Sequence, residues 1–372
     1  LKWSLKIGTV SGIDIKIHFT FIFIVLWAAA QGASGTGGMG GAAYATVSVL
    51  LLFLCVTLHE LGHSLMARRL GVRVRDITLL PIGGVARLET MPEKPSHELL
   101  IAAVGPAVNF VIALGLGLAL LLVIGTRLFF NPGHLVRLLL GPDSFLSLVV
   151  YLLSANLVLG VFNLIPAFPM DGGRMVRAFL AVWTSYPRAT RIAARIGQVI
   201  AVGLALLAFY DFPSFNFSLI LVALFVFTGA SYEDQMVQSR AALRELLVRH
   251  ALPLRPVYAV APEDTLSSVM EMGHNAGQYD FPVVRERMLE GILARNDLLT
   301  ALRQVGGATR VEQTMRRDFP RISYDAPLLH AQQLIAQSGL TALPVFDQAR
   351  FLGLITLEDI NRAYADRAWR RR

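Results

Sequence analysis

Six apolar stretches fill most of the first 230 residues: 17–30, 42–65, 99–124, 145–165, 192–210 and 217–230. A bilayer core offers no water to backbone N–H and C=O groups, so such runs must close their own hydrogen bonds as helices. Crossing takes about 20 apolar residues, and the first run is at the short end of that range. Only 16% of residues are charged and 54% are hydrophobic, against about 25% charged in an average soluble domain. Every second connection is basic. The N-terminal arm carries Lys2, Lys6 and Lys16. The connection before His97 carries Arg68, Arg69, Arg73, Arg75, Arg87 and Lys94, and the one after residue 165 carries Arg174, Arg177, Arg188, Arg191 and Arg195. Residues 31–41 hold no charge, 211–216 only Asp211, and 125–144 Arg127, Arg137 and Asp143. Positive charge collects on the cytoplasmic side, so the pattern predicts a six-span cell-membrane protein with both termini in the cytoplasm. No small-residue cleavage site stands out after the first run, so a cleaved signal peptide is not expected.

The net charge of +8 is unevenly placed. Residues 1–230 hold 16 Lys/Arg against 9 Asp/Glu, and the remainder holds 18 against 17. The polar part is nearly neutral, which argues against a nucleic-acid partner. The single cysteine, Cys55, permits no internal disulfide. Residues 72–88 alternate β-branched and polar side chains before Pro81, Gly83 and Gly84, which predicts a short membrane-associated hairpin. The sequence divides into a membrane domain (1–230), a linker (231–252) and an α/β module (253–372). That module repeats at an offset of 62: Leu266 with Leu328, Gly277 with Gly339, Pro282 with Pro344, Gly291 with Gly353, Asp297 with Asp359. Each copy predicts strand, helix, strand, strand, helix.

His59-Glu60-Leu61-Gly62-His63 lies inside the second apolar run. Helical residues four apart share a face, so both imidazoles can reach one metal ion. Glu60, on the adjacent edge, can take a proton from metal-bound water without being a ligand. A charge at bilayer centre costs about 2.5–3.5 kcal/mol, which a merely structural Glu between two His would not offset. Two His leave a zinc site incomplete. Asp171 is the best third ligand: it follows Pro166 and Pro169 and precedes Gly172-Gly173, a helix break of the kind that lines a cavity at membrane depth. Cys55, one turn before His59, is a competing ligand but fits a packed core residue better. Asn156 and Asn163, seven residues apart, share a helix face; interhelical hydrogen bonding accounts for Asn156 and competes with a functional role at Asn163.

These motifs resemble the site-2 protease family of intramembrane zinc metalloproteases. The resemblance also covers Pro81-Ile82-Gly83-Gly84, Gly105-Pro106-Ala107-Val108-Asn109-Phe110 and Asn163 with Pro166, Pro169 and Asp171-Gly172-Gly173, in the family's order. It implies zinc at His59, His63 and Asp171, water activation by Glu60, assistance to the substrate carbonyl by Asn163, and a transmembrane protein as substrate in the lipid bilayer. Gly105, Pro106 and Asn109 are expected to serve packing. Met170 stands where the family often has Leu. The repeat resembles a tandem pair of cystathionine-β-synthase (CBS) domains, which often bind adenine nucleotides. On that resemblance Thr356, Asp359 and Asp297 contact ribose or phosphate, with Ala294 replacing the expected Thr in the first copy. Packing, homodimerisation or substrate contact is the competing role for the pair. The alternative for the whole chain is a CBS-gated transporter or channel without protease activity.

Overall fold

The computed structural model describes residues 3–34, 37–81, 83–88, 94–130, 145–210, 216–253, 256–286 and 288–370. Lys2, Ile82, the connections 131–144 and 211–215, and Arg371 and Arg372 lie outside the described residues. The chain forms two compact units, Leu1–Gln235 and Met236–Arg372.

In the first unit, β1 (Ser4–Val10), β2 (Ile13–His18), β3 (Val74–Leu80) and β4 (Gly83–Leu88) form one sheet in that order. The hairpin expected over 72–88 is β3–β4, and two N-terminal strands join it. The β1–β2 turn places Ser11 (φ 49°) and Gly12 (φ 74°) in the left-handed region, as a tight hairpin turn requires. Strand β2 is parallel to β3, and β3 is antiparallel to β4, which leaves β4 at an edge. Asp76 on β3 is buried and accepts hydrogen bonds from Lys16 Nζ (2.7 Å) and Arg87 Nε (2.8 Å). Burial pushes its carboxyl pKa up, but these two hydrogen bonds and the charges behind them prevail and hold it below the usual range.

The first apolar run begins later than expected. Ile13, Ile15 and Ile17 alternate with Asp14, Lys16 and His18, a period of two that places Ile13 and Ile15 in the core. Helix α1 (Phe21–Ala33) then has 13 residues. Among the described residues five helices are long and apolar enough to cross a membrane: α2 (Gly38–Arg69), α3 (Pro95–Phe130), α4 (Phe145–Leu164), α6 (Tyr186–Leu207) and α7 (Phe217–Glu245). A short helix, α5 (Asp171–Leu180), lies between α4 and α6. Glycines set the closest approaches. A Cβ on Gly32 of α1 would lie 2.2 Å from the Gly41 carbonyl of α2, the small-residue packing that membrane helices favour. Helix α7 runs unbroken through residues 231–245.

Buried Arg177 ties three helices of this unit together. It donates to Glu98 of α3 through Nε (2.9 Å) and Nη2 (2.5 Å), and to Glu233 of α7 through Nη1. Its guanidinium also stacks 4.9 Å from the Phe168 and Tyr186 ring centroids.

In the second unit the repeat folds twice. Helices α8 (Leu266–Ala276) and α10 (Leu328–Ser338) end at Gly277 and Gly339, with φ of 63° and 70°. Hairpins β5 (Phe281–Arg285) with β6 (Met288–Leu293), and β8 (Ala342–Asp347) with β9 (Arg350–Thr356), follow. Helices α9 (Arg295–Gln304) and α11 (Leu357–Arg370) close the copies. The second copy has its leading strand, β7 (Ile322–Ser323), whereas in the first it is reduced to a single bridge from Val260 to Val283.

Candidate metal centre

Helix α2 presents His59 and His63 one turn apart, their rings 4.7 Å between centroids and nearly perpendicular. Their space comes from α3. A Cβ on Gly105 would lie 2.1 Å from His63 Nε2 and 2.8 Å from His59 Cε1, so any larger residue there would occupy the volume of the imidazoles. Gly62, between the two His, faces Val108 of α3 with room for no more than hydrogen.

Asp171 arrives from the break between α4 and α5. Pro166 and Pro169 interrupt the helix, and the turn packs Phe168 and Met170 into the interior. A Cβ on Gly172 would meet the Ile165 and Leu164 carbonyls at 2.3 and 2.4 Å, and one on Gly173 would lie 2.6 Å from the Ala167 backbone. The glycines let α5 start directly against the segment before it, which swings Asp171 towards α2. Met170 sits in an apolar cluster with Ala167, Ala201 and Val226, so its place in the motif is a packing one.

His59, His63 and Asp171 are each more than 90% buried. Their ligand atoms form a near-equilateral triangle: Nε2 to Nε2 3.0 Å, His63 Nε2 to Asp171 Oδ2 3.1 Å, His59 Nε2 to Asp171 Oδ2 3.2 Å. Ligands of a tetrahedral zinc ion with bonds of about 2.0–2.1 Å lie about 3.3 Å apart. His63 Nδ1 donates to the Ile101 carbonyl at 2.6 Å. A carbonyl only accepts, so in the neutral imidazole Nε2 carries a lone pair. A buried lone pair aimed at a carboxylate oxygen is unfavourable unless a metal cation or a proton sits between them. The donor set and its spacing therefore fit zinc. Among the described residues the potential ligand group is these three alone, without Cys55.

Glu60 stands beside the triangle. Its side chain rests on β4, where a Cβ on Gly84 would lie 2.5 Å from Glu60 Cγ. The sheet thus borders the proposed base. Asn163, on the last turn of α4, donates from Nδ2 to its own helix at the Leu159 carbonyl (3.0 Å). Asn156 makes the interhelical bond expected of it, accepting at Oδ1 from Asn109 Nδ2 (2.9 Å). Asn109 does more than the packing expected of it: its Oδ1 lies 2.5 Å from His59 Nδ1. Gly84, Gly105 and Asn109 all sit in motifs visible in the sequence, but their contacts with Glu60, His63 and His59 are visible only once the chain folds.

In the second unit Thr356 and Asp359 bond each other at the start of α11. Asp359 Oδ2 accepts from Thr356 N (3.0 Å) and Oγ1 (2.6 Å), and Asp359 N donates to Thr356 Oγ1 (3.2 Å). Asp297 is held differently, by Arg316 through Nε (2.5 Å) and Nη2 (3.0 Å).

Membrane-length helices around a buried two-His, one-Asp group, with a glutamate one residue from the first His, define a membrane metallopeptidase. Residues 47–206 match peptidase family M50, and residues 248–304 and 311–366 each match the CBS domain. Zinc metalloprotease MJ0392 of Methanocaldococcus jannaschii is 33% identical over 367 residues, covering 98% of this chain and 96% of that one. Rip3 of Mycobacterium tuberculosis is 27% identical over 97% of this chain and 93% of that protein. A solved structure, the site-2 protease from Methanocaldococcus jannaschii, is 38% identical, covers 62% of this chain and 95% of that one, and has a TM-score of 0.44. The chain belongs to peptidase family M50, the site-2 proteases, and carries a tandem pair of CBS domains. This membership removes the transporter or channel alternative.

Proposed function

We propose that this chain is a zinc-dependent endopeptidase that cuts membrane-protein substrates within or near their transmembrane segments, with His59, His63 and Asp171 as zinc ligands. The observation that carries this reading is the convergence of those three ligand atoms beside Glu60, on a helix of membrane-spanning length. Zinc bound there would supply Lewis acidity and a water of lowered pKa. Glu60 accepts a proton from the attacking water and returns it to the leaving amine. Asn163, once released from the Leu159 carbonyl, offers an amide N–H to the developing oxyanion. A helical substrate must first unwind, because its carbonyls are engaged in i to i−4 bonds. Strand β4, at the edge of the sheet and against Glu60, has main-chain groups suited to pairing with the opened segment.

The basic connections support a cytoplasmic placement of both termini and of the CBS pair. His63 precedes Arg68 by five residues, about 7.5 Å along a helix, and Asp171 precedes Arg174 by three. The zinc site then lies in the cytoplasmic half of the bilayer, and cysteine-accessibility mapping that found it open to the opposite side would overturn this placement. The domain division at about residues 230 and 252 belongs to the same reading. In the CBS pair, Thr356 and Asp359 are the candidates for an adenine nucleotide. Asp297, engaged by Arg316 and lacking a Thr partner at Ala294, makes a weaker second site. Homodimerisation through the pair is the companion proposal, tested by the mass of the detergent-solubilised chain.

Cleavage of a model transmembrane substrate by the wild type and by Glu60→Gln tests the activity. The expected result is loss of cleavage in the variant with zinc retained. Equal cleavage rejects the mechanism.

A further inference from the structure

We propose that Asn109 and Asn156 are positioning residues that fix the tautomer of His59 through a chain of hydrogen bonds starting at a backbone carbonyl. The inference rests on the reading of His59 as a zinc ligand. The carbonyl of Leu152 on α4 can only accept. Asn156 Nδ2 lies 2.8 Å from it, so the amide nitrogen of Asn156 faces that carbonyl and its Oδ1 faces away. That Oδ1 lies 2.9 Å from Asn109 Nδ2 on α3, which must therefore be the donor. Asn109 is left with its Oδ1 towards His59 Nδ1, 2.5 Å away. Nδ1 then carries the proton, and Nε2 keeps its lone pair for the triangle with His63 and Asp171. Both asparagines are fully buried, so water does not take over either bond. An interhelical contact explains the bond between the two asparagines but not the third link to His59.

The chain also explains the residue type at 109. That position must accept from His59 and donate to Asn156. Leucine does neither. Aspartate accepts but sets a carboxylate oxygen against Asn156 Oδ1, which the Leu152 carbonyl prevents from turning away. Helix α3 serves the other ligand in one step, through the Ile101 carbonyl and His63 Nδ1. Both His tautomers are thus set from the same helix, one by backbone and one by a side-chain relay. Metal-bound histidines generally depend on such outer partners for affinity.

The test is zinc affinity of the full-length chain in detergent, by competition with a chromogenic chelator, with apo-protein unfolding measured alongside. Asn109→Leu is expected to weaken zinc binding about 10–100-fold. Asn156→Leu, which lets the Asn109 amide rotate, is expected to weaken it less. Asn109→Asp in the Asn156→Leu background, where no oxygen opposes the new carboxylate, is expected to bind zinc more tightly than Asn109→Leu in that background. A purely structural asparagine would not show this rescue. Wild-type affinity in Asn109→Leu, or no advantage of Asp over Leu at 109, overturns the proposal. If Asn109→Leu does not fold because it leaves Asn156 Oδ1 without its donor, the two variants in the Asn156→Leu background, where that oxygen is gone, decide it. His59→Ala separates the premise: undiminished zinc affinity there removes the metal-site reading itself, and the relay with it.

Discussion

One buried carboxylate of the membrane unit, Asp171, is treated unlike those of the CBS pair. In the CBS pair each such acid is met by protein donors. Asp280 accepts from the backbone N–H of Arg295 (2.9 Å), Thr341 (2.6 Å) and Ala342 (2.7 Å) and from Thr341 Oγ1 (2.8 Å). Asp359 is held by Thr356, and the half-buried Asp297 by Arg316. In the membrane unit Asp171 instead points Oδ2 at two imidazole nitrogens, and the outer nitrogen of each ring is already engaged. A carboxylate answered by N–H groups holds a fold together. One placed among lone pairs is arranged for a cation. Arg177 shows that the membrane unit can also build the first kind, since it answers Glu98 and Glu233.

Substitutions can break either side of this contrast. The largest effect is expected from Gly105→Ala, whose Cβ would sit 2.1 Å from His63 Nε2 and displace a ligand. Zinc content of the purified variant should fall to background. Glu60→Gln should keep zinc and lose about 10²–10⁴-fold in the rate of cleavage, the usual worth of a general base. Gly84→Ala crowds Glu60 Cγ without touching the ligands. A misplaced base should slow cleavage by about 10–10²-fold with zinc content unchanged. On the other side of the contrast, Asp280→Ala leaves buried donors unanswered, at about 1–3 kcal/mol for each group that water cannot reach. Chemical denaturation should show the loss while zinc content stays at the wild-type level.

The smallest effect is a pH dependence at the sheet. Asp76 has a folded-state pKa below its unfolded value. Its contribution to stability is therefore present above the unfolded pKa and lost as pH falls through the folded one. Asp76→Asn should flatten the acid limb of the unfolding midpoint plotted against pH, and an unchanged limb would remove Asp76 from the account.

Much of this was legible in the sequence wherever a local rule applies. The 62-residue repeat survives because Gly277 and Gly339 must both take positive φ after a helix. His59 and His63 share a face through helical geometry alone, and Asp171 is marked by the prolines and glycines that swing it inward. Strand β2 was hidden because its alternation is only six residues long and ends, at Ile17 and His18, inside an apolar run that composition reads as a span. Asn109 was legible as a buried polar residue but not as the partner of His59, 50 residues earlier. Gly84 and Gly105 likewise carry no sign of the side chain each makes room for. Such roles are set by distances between helices and strands, which no spacing along the chain encodes.

The proposed activity depends on one buried zinc ion that residues of α2 and α5 would hold. Its most direct test is the zinc stoichiometry of the purified, full-length chain, compared between wild type and Asp171→Ala at matched folding. One zinc per wild-type chain, lost in the variant, is the expected result. A full complement of tightly held zinc in Asp171→Ala would contradict it.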